Sequence, residues 1–433
     1  MTSRDAATAV LTHSSSVIQR SSTMTGKLMT ALRILPVALL VAGFGASALP
    51  AGATGYHCLP AGDAQVRIDA TVRTSTSVTA SANGGTASAS SNGGDGNLVF
   101  IVGGSAKVGN GGEATAQAPG GMVSIGTVSG GHNTGARISV DDTKGGKSCG
   151  SSIPSSAPSY VGGDAHVDID ANVETDTSVN ASADGGTATA TSNGGSNNGV
   201  LFGGGGPIEV GNGGPATANA QGGTVTIGTV SGGHNSGATI SVDDTQGGGF
   251  GGHAAVAIDA NVQTSTTVNA SANGGTATAT SNGGDGNIVL DASIFGGPPA
   301  TGSTVQVGNG GPATANAQGG TVTIGTVSGG HNTGSTIHVD DTTGGFGGGN
   351  ASVDIDANVQ TSTSVNASAD GGTATATSNG GSNNGVLVGG GSTAEVGNGG
   401  PASADASGGT VSIGTVDGGN NTGATISVDD TQG

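Results

Sequence analysis

Tryptophan is absent from this 433-residue chain, and six Phe and two Tyr are its only aromatic residues besides histidine, so a globular core of large side chains has no material to form from. Basic residues are nearly as scarce. Ten Lys or Arg occur in all and none follows Lys147, whereas the stretch 148–433 carries 22 Asp or Glu. Such a polyanion repels phosphate backbones, which excludes nucleic acid as a partner, and it attracts divalent cations or polycations. Long apolar runs are missing too. The one candidate, 34–44, is too short for a bilayer span, so no membrane span is expected in the mature chain. Cysteine is limited to Cys58 and Cys149, which rules out a disulfide-dense scaffold and leaves a single intramolecular pairing.

What is present is glycine, 90 residues of it, and repetition. One unit is written four times, at 63–146, 164–248, 253–345 and 350–433. Each copy opens with V-x-I-D-A-x-V and passes through T-A-T-A-T-S-N-G-G and V-G-N-G-G-P-A-T-A, which the first copy softens. Each then closes on I-G-T-V-x-G-G-x-N and I-x-V-D-D-T. The organisation reads as a leader at 1–53, a first repeat with flanks at 54–147 and a linker at 148–163. The second repeat is 164–248, the third, with Gly/Phe flanks, is 249–349, and the fourth is 350–433. Between S-N-G-G and V-G-N-G-G lie 13, 14, 22 and 14 residues, while the rest of each unit is 71, 71, 71 and 70 residues long. A fixed frame with one tolerant loop accounts for this pattern.

Small apolar residues alternate with polar ones, as in Val167, Ile169, Ala171 and Val173 or Ala238, Ile240 and Val242, which is the period of half-buried strands. Glycine pairs begin at Gly84, Gly93, Gly103, Gly111, Gly120 and Gly130, and Asn-Gly steps at Asn83, Asn92 and Asn110 offer the positive backbone dihedrals of tight turns. The expected fold is all-β: a repetitive β-solenoid-like rod, or alternatively a stack of antiparallel hairpins. The solenoid is preferred because like units bury equivalent faces on one another and leave edges only at the ends. Regular Val/Ile alternation argues against a disordered Gly-rich tract. Two strands per coil at this turn spacing would give about 19 residues per coil and a body about 90 Å long.

Lys27 and Arg33 precede the apolar stretch, and small-x-small sites follow at Ala46-Ser47-Ala48 and Ala51-Gly52-Ala53, the order of a secretory signal peptide. The mature chain is expected to begin near Leu49 or Thr54. Export permits a disulfide, and Cys58 and Cys149 bracket the first unit, so a bond between them would clamp that end as a cap. Bridging between chains is the rival pairing.

Several patterns invite chemistry. The pairs Asp141-Asp142, Asp243-Asp244, Asp340-Asp341 and Asp429-Asp430 recur once per unit, and stacking would align them into a carboxylate ladder suited to calcium. Neighbours in a strand point to opposite faces, so both carboxylates of a pair are available only in a turn. No other cofactor is implied. The calcium-binding nonapeptide roll is excluded because Leu98 stands where its aspartate belongs. His132, His234 and His331 occupy equivalent G-G-H-N sites read as turns, and since the fourth copy has Asn420 the position reads as a polar cap. Gly145-Gly146-Lys147-Ser148 fails as a phosphate loop because Asp141 replaces the required first glycine.

Threonine rows are the remaining surface feature. Thr187, Thr189 and Thr191, then Thr276, Thr278 and Thr280, then Thr373, Thr375 and Thr377 each place three hydroxyls on one strand face. The pattern resembles the T-x-T arrays of β-helical ice-binding proteins, whose flat faces order water; in the first copy it weakens to Thr86-Ala87-Ser88. Exposed strand threonine is also commonplace. Fourfold repetition of every candidate is unlike an active site, and units without Lys or Arg exclude the lyase chemistry of sugar-cleaving β-helices, leaving a carboxylate-pair glycosidase as the weakest alternative. The expected function is that of an exported, non-enzymatic structural, surface or adhesive element. Its partners would be itself or a cell-surface or matrix polymer, with ice or another ordered surface as the alternative ligand.

Overall fold

A computed structural model describes residues 62–102, 104–146, 162–203, 205–291, 302–388 and 393–433, with two short strands, Ala7–Ser14 and Ala38–Ala42, ahead of them. Every element among the described residues is a strand, and no helix there is long and apolar enough to cross a membrane. Cys58 and Cys149 lie outside the described residues, as does most of the leader.

The second unit shows the plan. The chain runs out through Ala165–Ala183, Thr187–Asn193 and Gly199–Gly203. It returns through Ile208–Val210, Ala216–Ala220, Thr224–Ser231, His234–Ser236 and Thr239–Val242. The other three units repeat these eight strands, and within the repeats each strand pairs with its own equivalent one unit away, in parallel and in register: Val66 with Val167, Val167 with Val256, Val256 with Val353. The fold is therefore a β-solenoid of two walls, and the antiparallel-hairpin alternative is set aside because every pairing between units is parallel.

The coil is much larger than the turn spacing suggested. One whole unit forms one layer, so four layers stack with about 14 Å between the outermost backbones instead of the expected 90 Å. The body is elongated along its strands: Ala165–Ala183 alone extends about 60 Å. Glycine pairs caused the difference. At Gly84-Gly85 the chain does not reverse; the Gly85 N–H donates to the Pro119 carbonyl on the opposite wall, and the two walls pinch together there. Nor do the Asn-Gly steps at Asn83, Asn92 and Asn110 carry positive φ. That conformation sits at Gly96, Asn197, Gly286 and Asn383, one equivalent position in four layers, and at Gly109, Gly211, Gly308 and Gly397. These last four are the first glycines of V-G-N-G-G, and a side chain at the first glycines of S-N-G-G, Gly93, Gly194, Gly283 and Gly380, would strike their carbonyls. Two sequence motifs thus persist because they touch.

The chain reverses in the length-variable segment, which is not wholly a loop. It begins and ends in paired strands, Leu98–Val102 and Ala106–Val108 in the first unit, so insertion is confined to the bend between them.

Inward-facing side chains fill the space between walls in four clusters. Val and Ile occupy two of them under the long strands, alanine alone fills the third, and Val, Ile and Phe202 close the fourth beside the bend. Between the first two clusters runs a buried polar ladder. The Thr74 hydroxyl donates to Asn133 Oδ1 at 2.6 Å, Asn133 Nδ2 donates to Thr175 Oγ1 at 2.8 Å, and the zigzag continues through Asn235, Thr264, Asn332 and Thr361 to Asn421. The bonds from Thr74 to Asn332 satisfy buried groups, the last, from Thr361 to Asn421, is exposed at the unit 4 end, and together they tie one wall to the other across successive layers.

Candidate functional site

The threonine rows form a lattice. Thr187, Thr276 and Thr373 stack in register, as do Thr189, Thr278 and Thr375, and Thr191, Thr280 and Thr377, with Thr86, Ser88 and Ser90 completing the columns in the first layer. Hydroxyls are therefore spaced about 4.8 Å across layers and about 6.6 Å along a strand. The column beside them is asparagine. Asn193 Nδ2 donates to Asn92 Oδ1 at 2.8 Å, Asn282 to Asn193 at 2.9 Å and Asn379 to Asn282 at 3.0 Å, so each amide is held by the layer before it. Behind the threonine columns the inward residues are alanine, Ala188 and Ala190 meeting Ala216, Ala218 and Ala220 of the return wall, and the next inward position is the buried Ser192, whose hydroxyl donates to the Gly112 carbonyl at 2.6 Å. The return wall presents Thr217 and Asn219 outward, and Asn316 donates to Asn219 at 2.8 Å. Sequence alternation located these rows; the sequence did not show that the reverse of the slab carries a second polar face.

The aspartate pairs do sit in turns. Asp142, Asp244, Asp341 and Asp430 adopt left-handed φ of 46–55°, which turns both carboxylates of a pair outward at the end of the last strand. Three groups converge with their oxygens within 4.8 Å: Asp141, Asp142 and Asp244; Asp243, Asp244 and Asp341; Asp340, Asp341 and Asp430. In the first group Lys144 Nζ lies 2.6 Å from Asp142 and supplies the counter-charge. The other two have no Lys or Arg in their units, and Asp340 above all, followed by desolvation and Asp244, holds the Asp341 carboxyl above its ordinary 3.8. Hard oxygen ligands in this arrangement suit a divalent cation such as calcium.

The histidines are placed differently from the sequence reading. His132, His234 and His331 open short strands, not turns; the exposed rings of His132 and His234 stack with centroids 4.6 Å apart, and His331 meets His234 edge-on at 4.9 Å. Desolvation, then the neighbouring rings of His132 and His331, lowers the His234 pKa from its ordinary 6.5. The residue that matters in G-G-x-N is the following asparagine, the inward member of the polar ladder, which explains why Asn421 stays when the histidine is replaced by Asn420. Its only signal in the sequence was that invariance among the four copies.

Unit 1 docks on unit 2 through charge. Arg67 Nε lies 3.7 Å from Asp168, Arg73 Nη2 2.6 Å from Asp176, and Lys107 Nζ 3.0 Å from Glu209. A further aspartate column, Asp69, Asp170, Asp259 and Asp356, runs down the long strands, and burial followed by the charges of Asp69 and Asp259 raises the Asp170 pKa above 3.8. One groove follows the layers, lined by Asn180, Asn269, Asn366, Ser182, Ser271 and Ser368, and it too is a set of columns in place of a pocket with differing groups. Comparison with protein-family models, with curated proteins and with solved structures found no match to the chain.

Proposed function

We propose that the protein is an exported structural or adhesive element that acts by displaying flat, repeated polar faces to a cell-surface or matrix polymer. The observation that carries this reading is the Thr/Asn lattice, repeated in register on a wall that alanine packing keeps thin. A polymer with repeating hydroxyl or amide groups meets the same partners at every step along such a face, and many weak contacts sum through high effective concentration. Recurrence of each polar group in successive layers supports display and disfavours catalysis, which needs one pocket of unlike groups. The base-free units 2 to 4 disfavour any phosphate polymer.

Two measurements test it. Fractionation of an expressing culture should place the chain outside the membrane or on the cell surface with residues up to about Ala48 or Ala53 removed; an intact chain held in the cytoplasm would sink the exported reading. Sedimentation with insoluble surface polysaccharides should retain the protein, and Thr189→Lys, Thr278→Lys and Thr375→Lys together should release it while leaving the circular dichroism unchanged.

The regularity of the same lattice favours a second reading, binding to ice or another crystalline surface. That reading expects thermal hysteresis and faceted ice crystals that the triple lysine variant abolishes. A wild-type protein without hysteresis or recrystallisation inhibition removes it.

A further inference from the structure

The two ends of the stack differ in what they expose. On the return wall of unit 4, Val411, Ile413, Val416, Ile426 and Val428 are 43–48% exposed, whereas their unit 2 equivalents Val225, Ile227, Val230, Ile240 and Val242 are at most 1% exposed. Nothing about the side chains differs. These are the inward residues of a layer with no layer beyond it among the described residues, and the backbone edge of the long strand Ala351–Ala369 is open on the same side. The far side of unit 1 is the complementary edge: the same apolar residues in the same order, and all of the basic residues in the repeats.

We propose that the partner of the unit 4 end is unit 1 of a second copy of this chain, stacked head to tail in the register that joins the units within one molecule. This rests on the structural, exported reading above and names its partner. Three observations carry it. The interface already exists three times inside the chain, between near-identical layers, so a fourth instance needs no new complementarity. The charges also match. At the position of Arg67 the later layers hold Asp168, Ala257 and Asp354, and at the position of Lys107 they hold Glu209, Gln306 and Glu395. A second copy's Arg67 and Lys107 would therefore meet Asp354 and Glu395, two of the three acid–base pairings that join unit 1 to unit 2, while Arg73 would lie beside Gln360 and Ser362 in place of Glu174 and Asp176. Finally, the alternatives are disfavoured: unit 4 against unit 4 sets acid on acid and reverses the strands, and unit 1 against unit 1 sets base on base.

The two strands ahead of the repeats, Ala7–Ser14 and Ala38–Ala42, lie on the unit 1 edge opposite 66–73 and 137–141. Both precede the expected leader cleavage site. Removal of the leader on export would open that part of the edge, while the outer edge of Thr86–Asn92 pairs with no strand among the described residues.

An in-register crosslink tests the proposal. Thr86 and Thr373 occupy equivalent positions three layers apart, about 14 Å within one chain and beyond disulfide reach, but about 4.8 Å between stacked copies. The exported full chain carrying Thr86→Cys and Thr373→Cys should oxidise to a ladder of multimers in which mass spectrometry finds the peptide joining 86 to 373. The out-of-register pair Thr86→Cys with Asn379→Cys should not. Adding Asp354→Lys and Glu395→Lys, both exposed, should cut the multimer yield about tenfold at low salt. Monomers from both cysteine pairs, or equal yields from both, would overturn the stacking. Intact mass separates this from the exported reading: a retained leader refutes export, and the same crosslink, sought at an edge the leader strands leave free, still decides the stacking.

Discussion

Under the long strands the walls are held apart by Val167, Ile169, Ile240 and Val242, whereas beneath the threonine columns they meet through alanines such as Ala188, Ala190, Ala216 and Ala218, with the Ser192 hydroxyl bonded across at their edge. Both regions obey the same in-register stacking and the same inward–outward alternation. The difference lies in what each volume permits. Branched side chains interlock and supply most of the apolar burial, with a polar ladder threading between them. Methyl-to-methyl contact contributes less burial but brings two sheets close and leaves little room for a rotamer to vary, so the outward threonines stand on a thin, uniform support. Stability and display are assigned to different stretches of one layer.

Core substitutions break this comparison most strongly, and in opposite senses. Ile240→Ala should cost about 2–5 kcal/mol through the cavity it leaves. Ala218→Leu, an enlargement of the alanine seam, should cost about 1–3 kcal/mol by forcing the walls apart, and it alone should impair surface binding along with stability. Denaturant titration of both variants checks the first point, and sedimentation with the polymer checks the second. If Ala218→Leu were neutral, the seam would not be closely packed.

Asn235→Ala comes next. It leaves the buried hydroxyls of Thr175 and Thr264 without their shared partner and should cost about 1–3 kcal/mol, with faster hydrogen exchange in the long strands than in the threonine strands.

Protonation should separate the regions further, because the lattice itself carries no titratable group. The lowered His234 pKa means that the unfolded chain binds the proton first as pH falls below 6.5, so stability declines from there and the loss is complete once the folded-state value is passed. Asp170 and Asp341 act with the opposite sign. Their pKa values are raised above 3.8, so their contribution grows as pH falls through the folded values and is full below 3.8. A melting-temperature profile should show a shallow dip below 6.5 and partial recovery as pH falls toward 3.8. His234→Asn, the fourth layer's own solution, should remove the dip; a profile unchanged by it would contradict the assignment.

The smallest expected effect is that of calcium. Millimolar calcium should raise the melting temperature by more than an ionic-strength control, because a ligand of the folded state stabilises it, and Asp244→Asn with Asp341→Asn should remove the excess. Equal shifts in calcium and control would leave charge screening as the whole effect.

Much of this architecture was legible in the residues because repetition and alternation are direct records of stacking and burial. Val167, Val256 and Val353 sit at matching places in their units and pair as that match implies, and the threonine rows face outward because alanines alternate with them. The coil size was not legible. A Gly-Gly step permits a turn and equally permits two walls to touch, and only long-range contacts such as Gly85 with Pro119 tell these apart. For the same reason His132 read as a turn residue when it opens a strand, and the inward role of Asn133 was hidden because nothing local distinguishes an asparagine that caps a turn from one bonded across a core.

The central claim is that one unit makes one layer. Spin labels at Ser88→Cys and Thr375→Cys, with the native cysteines blocked or replaced, probe positions 287 residues apart in sequence that the structure places in the same column three layers apart. Dipolar spectroscopy should return a backbone separation of about 14 Å plus the label linkers, whereas coils of about 19 residues would put the two sites about 70 Å apart. A distance near the longer value would contradict the account.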